Sequence, residues 1–161
     1  IIIIIIIIII IVIIVIYLLQ KDLINVLIYI IFFLLDGYIN TILKGIIREP
    51  RPPDYVKYLY SEHTSRVKTI YGMPSGHSQN VFFSLTYLFL TAKEPVYWIQ
   101  ICLGLSALMA YERWTFHNHT LLQLFAGAIV GIIFGWGAVY FRDFVVRPLI
   151  KKDPRSVSKK Q

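Results

Sequence analysis

Hydrophobic positions along this chain come in long runs broken by short polar stretches, where a soluble fold would show alternation or a one-sided helical stripe. In a bilayer such runs must close their own backbone hydrogen bonds, so each is expected as a helix. Residues 1–19 are dominated by isoleucine and read as a first, anchoring span. The alternative, a signal peptide, calls for a basic n-region and a small-residue cleavage site, and both are missing. A second run covers about 23–43 and carries Asp36 and Asn40, four residues apart and therefore on one helix face. Polar groups at that depth face protein, either as glue to a neighbouring helix or in a catalytic role.

Residues 44–73 are polar, and Pro50, Pro52 and Pro53 end the second helix near Arg48. Tyr55, Tyr58, Tyr60 and Tyr71 suit the headgroup interface. A third run, 75–91, starts at Ser75, which can cap it, and residues 92–95 make a turn. A fourth covers about 96–111. The fifth, 121–141, is rich in small residues (Ala126, Gly127, Ala128, Gly131) that permit close helix packing. The expectation is an all-α, polytopic membrane helical bundle of about five transmembrane helices. It forms one domain, 1–141, with the anchor at 1–19, a catalytic core at 23–131 and a basic, unpacked tail at 142–161. Alternating spans place the end of the second, the start of the third, the end of the fourth and the start of the fifth on one side.

Composition agrees with a bilayer: 57% of the 161 residues are hydrophobic, 16% are charged, and the mean hydropathy is +0.68. The formal charge of +7 raises nucleic acid as a partner. No basic stripe with interleaved aromatics occurs outside the apolar runs, so the cations are assigned to membrane topology or to a phosphorylated substrate. The single cysteine, Cys102, cannot form an intrachain disulfide.

Three polar clusters carry candidate chemistry. Lys44 and Arg51 are permanent cations where the second helix leaves the membrane, and the prolines can bend Arg51 back toward Lys44. Together they suit a phosphate, although cations at a span end also serve simply to snorkel or to set topology. In Pro74-Ser75-Gly76-His77 a helix starts at a glycine that allows close approach, its free N–H groups form an anion site, and Ser75 adds a hydroxyl. His77 lies in the first turn, where the helix dipole disfavours imidazolium and keeps the ring able to exchange a proton. Last come Arg113, His119 and Gln123: the i,i+4 spacing lets Gln123 hold one nitrogen of His119 and aim the other outward, as an activated nucleophile requires. His117 and His119 could be read as a metal pair, but no carboxylate or cysteine stands at useful spacing apart from the nearby Glu112, so neither metal nor cofactor is expected. Asn118-His119-Thr120 is a glycosylation sequon expected to be unused, because it would lie inside the site.

The ordered set Lys44-x6-Arg51-Pro52, Pro74-Ser75-Gly76-His77 and Arg113-x5-His119 resembles the three-part signature of the type 2 phosphatidic acid phosphatase (PAP2) superfamily, covers residues 36–131 and is specific as a set. The family pattern has Ser before the Arg of the third part and Asp four residues after its His, where this chain has Glu112 and Gln123. An Asp would orient the histidine and stabilise its positive charge, and an amide can do only the first. Arg-x5-His-Thr-x2-Gln, Glu49-Pro50-Arg51-Pro52 and Tyr71-Gly72-Met73-Pro74-Ser75 with His77-Ser78-Gln79 resemble the dolichyldiphosphatase branch.

This resemblance implies a metal-independent phosphatase working through a phosphohistidine. His119 attacks phosphorus, His77 protonates the leaving oxygen, and Lys44, Arg51, Arg113, Ser75 and the Gly76 N–H hold the phosphoryl oxygens. The implied partner is a polyisoprenyl diphosphate in the bilayer, with hydrolysis of dolichyl diphosphate to dolichyl phosphate as the leading reaction. A broader lipid phosphatase acting on phosphatidate or undecaprenyl diphosphate, or a non-catalytic lipid-phosphate-binding protein, are the alternatives. Positive charge counted over the loops places the site on the lumenal side of the endoplasmic reticulum membrane and the tail in the cytosol.

Overall fold

The computed structural model describes residues 11–12, 14–15, 22–53, 70–91 and 97–151, apart from the side chains at 97–99, 102 and 151. Most of the expected isoleucine span, Tyr55, Tyr58 and Tyr60, the turn at 92–95, the Cys102 side chain and the tail beyond Lys151 lie outside the described residues. Four helices of 16 residues or more make up the rest: α1 (Leu23–Ile47), α2 (Gly76–Thr91), α3 (Tyr97–Thr115) and α4 (Leu121–Phe141). A π turn, Arg142–Val146, joins α4 to a short α5 (Arg147–Lys151).

The fold is all-α, but the count of five spans is corrected. Among the described residues two helices are long and apolar enough to cross a membrane, α1 and the continuous stretch Leu121–Ile150. At 1.5 Å per residue the 16 residues of α2 reach only about 24 Å, short of a hydrocarbon core of about 30 Å, and they include Ser78, Gln79, Asn80 and Ser84. α3 has 19 residues and carries Glu112 and Arg113 in its last turn. Apolar enrichment alone cannot separate a lipid-spanning helix from one packed among neighbours. The tail expectation also changes, because the helix runs on past residue 142 and Arg142 is buried. Its guanidinium donates to Asn25 Oδ1 (3.2 Å), Thr91 Oγ1 (2.8 Å) and Asp143, which ties the C-terminal end of α4 to the N-terminal end of α1 and the end of α2.

Burial is inverted relative to a water-soluble protein. Asn25, Asp36, Asn40, Gln79 and Gln123 are buried, while Leu34, Ile46, Ile133 and Phe144 are each more than 60% exposed. That distribution suits a surface solvated by lipid.

α2 and α4 approach most closely. Gly127, Gly131 and Gly135 recur every four residues on α4, and a Cβ at each would collide in turn with the backbone of Ser75, just before α2, and of Gln79 and Phe83 within it. The two backbones are therefore in direct contact, as small-residue stripes allow. Between α1 and α2, Tyr29, Phe33, Phe83 and Tyr87 form an aromatic cluster, with ring centroids of Tyr29 and Phe83 5.7 Å apart. Buried hydroxyls there find partners: Tyr29 Oη pairs with Ser84 Oγ at 2.9 Å, and Tyr87 Oη donates to Asn25 O at 2.9 Å.

α1 ends where Arg48 takes a left-handed conformation (φ 53°) just before Glu49-Pro50. An isolated antiparallel bridge then pairs Pro50 with Tyr71, supported by Arg51 N–H to Ile70 O (3.3 Å) and Gly72 N–H to Glu49 O (2.8 Å). This bridge lays the strand after α1 beside the turn before α2.

Candidate active site

Four segments meet at one end of the bundle: the last turn of α1 with its bridge, the turn before α2, the end of α3 and the start of α4. Lys44, only 3% exposed, donates from Nζ to Tyr71 O (3.0 Å) and Gly72 O (3.1 Å), so α1 holds the turn before α2. Arg51 is folded back by the bridge and buried; its Nη1 donates to Asn118 O (2.7 Å) and to His119 Nε2 (3.0 Å). Buried Arg113, in the last turn of α3, donates from Nη2 to His77 Nε2 (3.2 Å).

The loop that carries His119 is shaped by two helix caps. α3 closes with His117 N–H to Trp114 O (3.0 Å) and Asn118 N–H to Arg113 O (3.1 Å), with His117 left-handed at φ 52°. His117, weighed in the sequence as a metal partner of His119, takes the backbone role of that cap, and the sequon's Asn118 is buried. Two residues on, Thr120 caps α4 in a capping box with Gln123: Gln123 N–H donates to Thr120 Oγ1 (3.2 Å) and Thr120 N–H to Gln123 Oε1 (3.3 Å).

That box assigns the Gln123 amide without ambiguity, since Oε1 faces a backbone donor while Nε2 donates to a backbone acceptor, Pro50 O (2.9 Å). The same Oε1 lies 3.2 Å from His119 Nδ1, which must therefore carry the ring hydrogen. Nε2 is left with its lone pair, and it faces Arg51, which can only donate. The sequence expectation that Gln123 could hold one nitrogen of His119 thus has a geometric counterpart. His77 Nε2 likewise accepts from an arginine.

The turn Pro74-Ser75-Gly76 is held from two sides. Ser75 N–H donates to Gln123 O (3.0 Å), Ser78 Oγ to Leu124 O (2.7 Å), and Ser75 Oγ accepts weakly from Ser78 N–H (3.5 Å), which sets the start of α2 against the start of α4. From α1, Asn40 Nδ2 donates to Pro74 O (3.2 Å) and Gln79 Oε1 (2.8 Å), while Gln79 Nε2 donates to Asp36 O (2.8 Å) and Oδ1 (2.7 Å). Asp36 and Asn40 act as interhelical glue in this arrangement. A Cβ on Gly76 would sit 2.9 Å from Asn40 Oδ1, so the glycine lets the turn lie against α1.

Burial, Arg51, Lys44, His77 and Arg113 hold His119 well below the usual imidazole range. Burial and the cations Arg113, Arg51 and Lys44 do the same to half-buried His77. In both, burial and the surrounding cations favour the neutral ring.

The structure thus brings together all eight residues singled out from sequence: Lys44, Arg51, Ser75, Gly76, His77, Arg113, His119 and Gln123. It adds three that sequence reasoning left without a role. Glu49 Oε1 accepts from Gln123 Nε2 at 2.9 Å, Gly72 makes room for the Gln123 carboxamide, which a Cβ there would strike, and Gln79 links Asp36 to Asn40. A shared polar register was the available signal, since Asp36, Asn40 and Lys44 recur every four residues on α1.

An oriented, buried imidazole with its lone pair on Arg51 and with Lys44 and Arg113 in the same cluster, at the start of a helix, can accept a phosphoryl group and stabilise its charge. In a helical bundle with a lipid-compatible surface, that arrangement suits a membrane phosphotransfer or phosphatase class. The chain belongs to the PAP2 superfamily, whose model matches residues 25–147. It is 32% identical over 117 residues to the dolichyldiphosphatase of Saccharomyces cerevisiae, covering 67% of this chain and 47% of that one. It is also 30% identical over 143 residues to dolichyldiphosphatase 1 of Dictyostelium discoideum (83% and 58%) and 32% identical over 133 residues to that of Homo sapiens (73% and 53%). The chain spans about half the length of these curated relatives. No solved structure matches it.

Proposed function

We propose that the chain hydrolyses a polyisoprenyl diphosphate, with dolichyl diphosphate as the leading substrate, through a phosphohistidine on His119. The observation that carries this reading is the oriented lone pair of His119 Nε2 beside Arg51, with Nδ1 held by Gln123. On binding, the diphosphate draws Arg51, Lys44, Arg113, Ser75 Oγ and the Gly76 N–H onto its terminal phosphoryl oxygens and raises His77 so that it takes up a proton. His119 Nε2 forms a bond to the terminal phosphorus, the bond from phosphorus to the bridging oxygen breaks, and His77 gives its proton to the departing lipid phosphate. A water then loses a proton to His77 and attacks phosphorus. The N–P bond breaks and leaves His119 neutral again, inorganic phosphate departs, and His77 releases the proton taken from water to solvent as the anion leaves.

The lipid part of the substrate finds support in an apolar cavity of about 760 Å³ between α2, α3 and α4, lined among others by Phe82, Leu85, Phe89, Leu103, Ile133 and Trp136. Along α2 it begins at Phe82, five residues beyond His77, about 7 Å by helix rise, so a tail can descend from a headgroup held at the site. The relatives' name, dolichyldiphosphatase, supports the same substrate class. α1 ends and α4 begins at the site, which leaves Arg142 and Arg147 at the opposite end of α4; under the positive-inside rule this supports a site on the lumenal side of the endoplasmic reticulum membrane.

The test is turnover of dolichyl diphosphate, undecaprenyl diphosphate and phosphatidate by purified protein in detergent, with labelled phosphate trapped on the enzyme by acid-free quenching. We expect dolichyl diphosphate to give the highest kcat/KM and label on His119, absent in His119→Ala. Faster turnover of phosphatidate overturns the substrate assignment, and turnover without label on His119 overturns the mechanism.

A further inference from the structure

An aspartate at position 123 would supply His119 with an acceptor and a negative charge together, and Gln123 supplies the acceptor alone. The charge that is missing at position 123 lies one bond further out. Gln123 is fully buried; its Oε1 takes His119 Nδ1–H at 3.2 Å, and its Nε2 donates to the Glu49 carboxylate at 2.9 Å. The amide cannot be turned over, because Thr120 N–H and Pro50 O pin its two ends. An amide polarised by a carboxylate on its N–H side is a better acceptor on its oxygen.

We propose that Glu49 is a positioning residue that supplies the counter-charge of His119 through the Gln123 carboxamide, so that orientation and charge are divided between two residues. This rests on the reading of His119 as the nucleophile. The arrangement is built for the longer side chain: Gly72 is the one residue type that leaves the Gln123 carboxamide its space, and the bridge that pairs Pro50 with Tyr71 brings Glu49 and Gly72 together, with Gly72 N–H on Glu49 O at 2.8 Å. The charged groups that press on His119 are Arg51, Lys44, Arg113 and, once protonated, His77, all of one sign. A single carboxylate reaching the ring through the amide opposes them as the N–P bond places positive charge on the imidazole.

Glu49→Gln keeps an acceptor for Gln123 Nε2 and removes the charge alone. We expect kcat/KM on dolichyl diphosphate to fall roughly ten- to a hundredfold, as loss of an outer partner typically does, with the acid limb of the pH profile moving to lower pH. Gln123→Asp in the wild-type background puts two carboxylates side by side and lowers activity as well. Combined, Glu49→Gln/Gln123→Asp restores one carboxylate, directly against His119, and recovers most of what Glu49→Gln loses. The proposal is overturned if Glu49→Gln leaves both rate and acid limb unchanged, or if the double variant is no faster than Glu49→Gln. Titration of His119 by NMR in the tungstate-bound protein reads the same coupling without turnover: Glu49→Gln lowers the His119 midpoint, and an unmoved midpoint sinks the proposal. A wild-type enzyme idle on every diphosphate would instead overturn the substrate reading while this titration still decides the role of Glu49.

Discussion

Gln123→Leu removes four hydrogen bonds at once from a side chain with no solvent exposure: to His119 Nδ1, Thr120 N, Glu49 Oε1 and Pro50 O. Not all four losses are equal. Glu49 is partly exposed and Pro50 is exposed, so water can satisfy both acceptors, and what is lost at Glu49 is its link to the His119 ring rather than a hydrogen bond. His119 is 2% exposed, and its ring N–H would be left buried without a partner, a loss of about 1–3 kcal/mol. Paid in the transition state, where the ring must stay aimed and become positive, that corresponds to roughly a 5- to 150-fold fall in kcat/KM. The assay is release of inorganic phosphate from dolichyl diphosphate in detergent, with thermal unfolding measured alongside to separate loss of fold from loss of rate. Capping by Thr120 survives the change, since its hydroxyl receives the position-123 backbone N–H, so α4 should stay intact. A folded Gln123→Leu enzyme with wild-type kcat/KM would refute the reasoning and reduce the His119–Gln123 contact to helix packing.

Three further outcomes are expected. His77→Ala should slow phosphoenzyme formation by about 10²- to 10⁴-fold and erase the basic limb of the pH–rate profile; a profile that keeps the limb assigns the proton donor elsewhere. Gly131→Ala drives a Cβ into the α2 backbone and should cost about 1–3 kcal/mol of stability, seen as a lower melting temperature, whereas Gly137→Ala, with nothing within 4 Å, should be neutral; equal melting points would contradict the close contact of α2 and α4. His77 and His119 are held below the ordinary value of 6.5 in the fold, so the unfolded chain binds more protons below that pH, and stability falls as pH drops from about 7 toward 5. Tungstate, by offsetting the cations, should flatten that loss, and an identical pH dependence with and without it would count against the anion site.

What the sequence determined by itself is the local part of the site. Spacing of four residues put Gln123 over His119, and serine with glycine opened α2, because the geometry of one helical turn is set by the residues in it. The helical class and the apolar outer surface followed from composition for the same reason: lipid leaves backbone groups no partner but each other. How many helices cross a bilayer was not legible, since α2 is short and hides Gln79 and Ser84 among its neighbours while its composition still looks apolar. Nor could the sequence pair Arg51 with His119, 68 positions apart, or Glu49 with Gln123, 74 apart. Those contacts depend on the bridge between Pro50 and Tyr71 and on the depth to which α2 sinks into the glycine stripe of α4. Only packed backbones decide such distances, and so it takes the folded chain to show the Glu49 carboxylate standing behind the Gln123 amide.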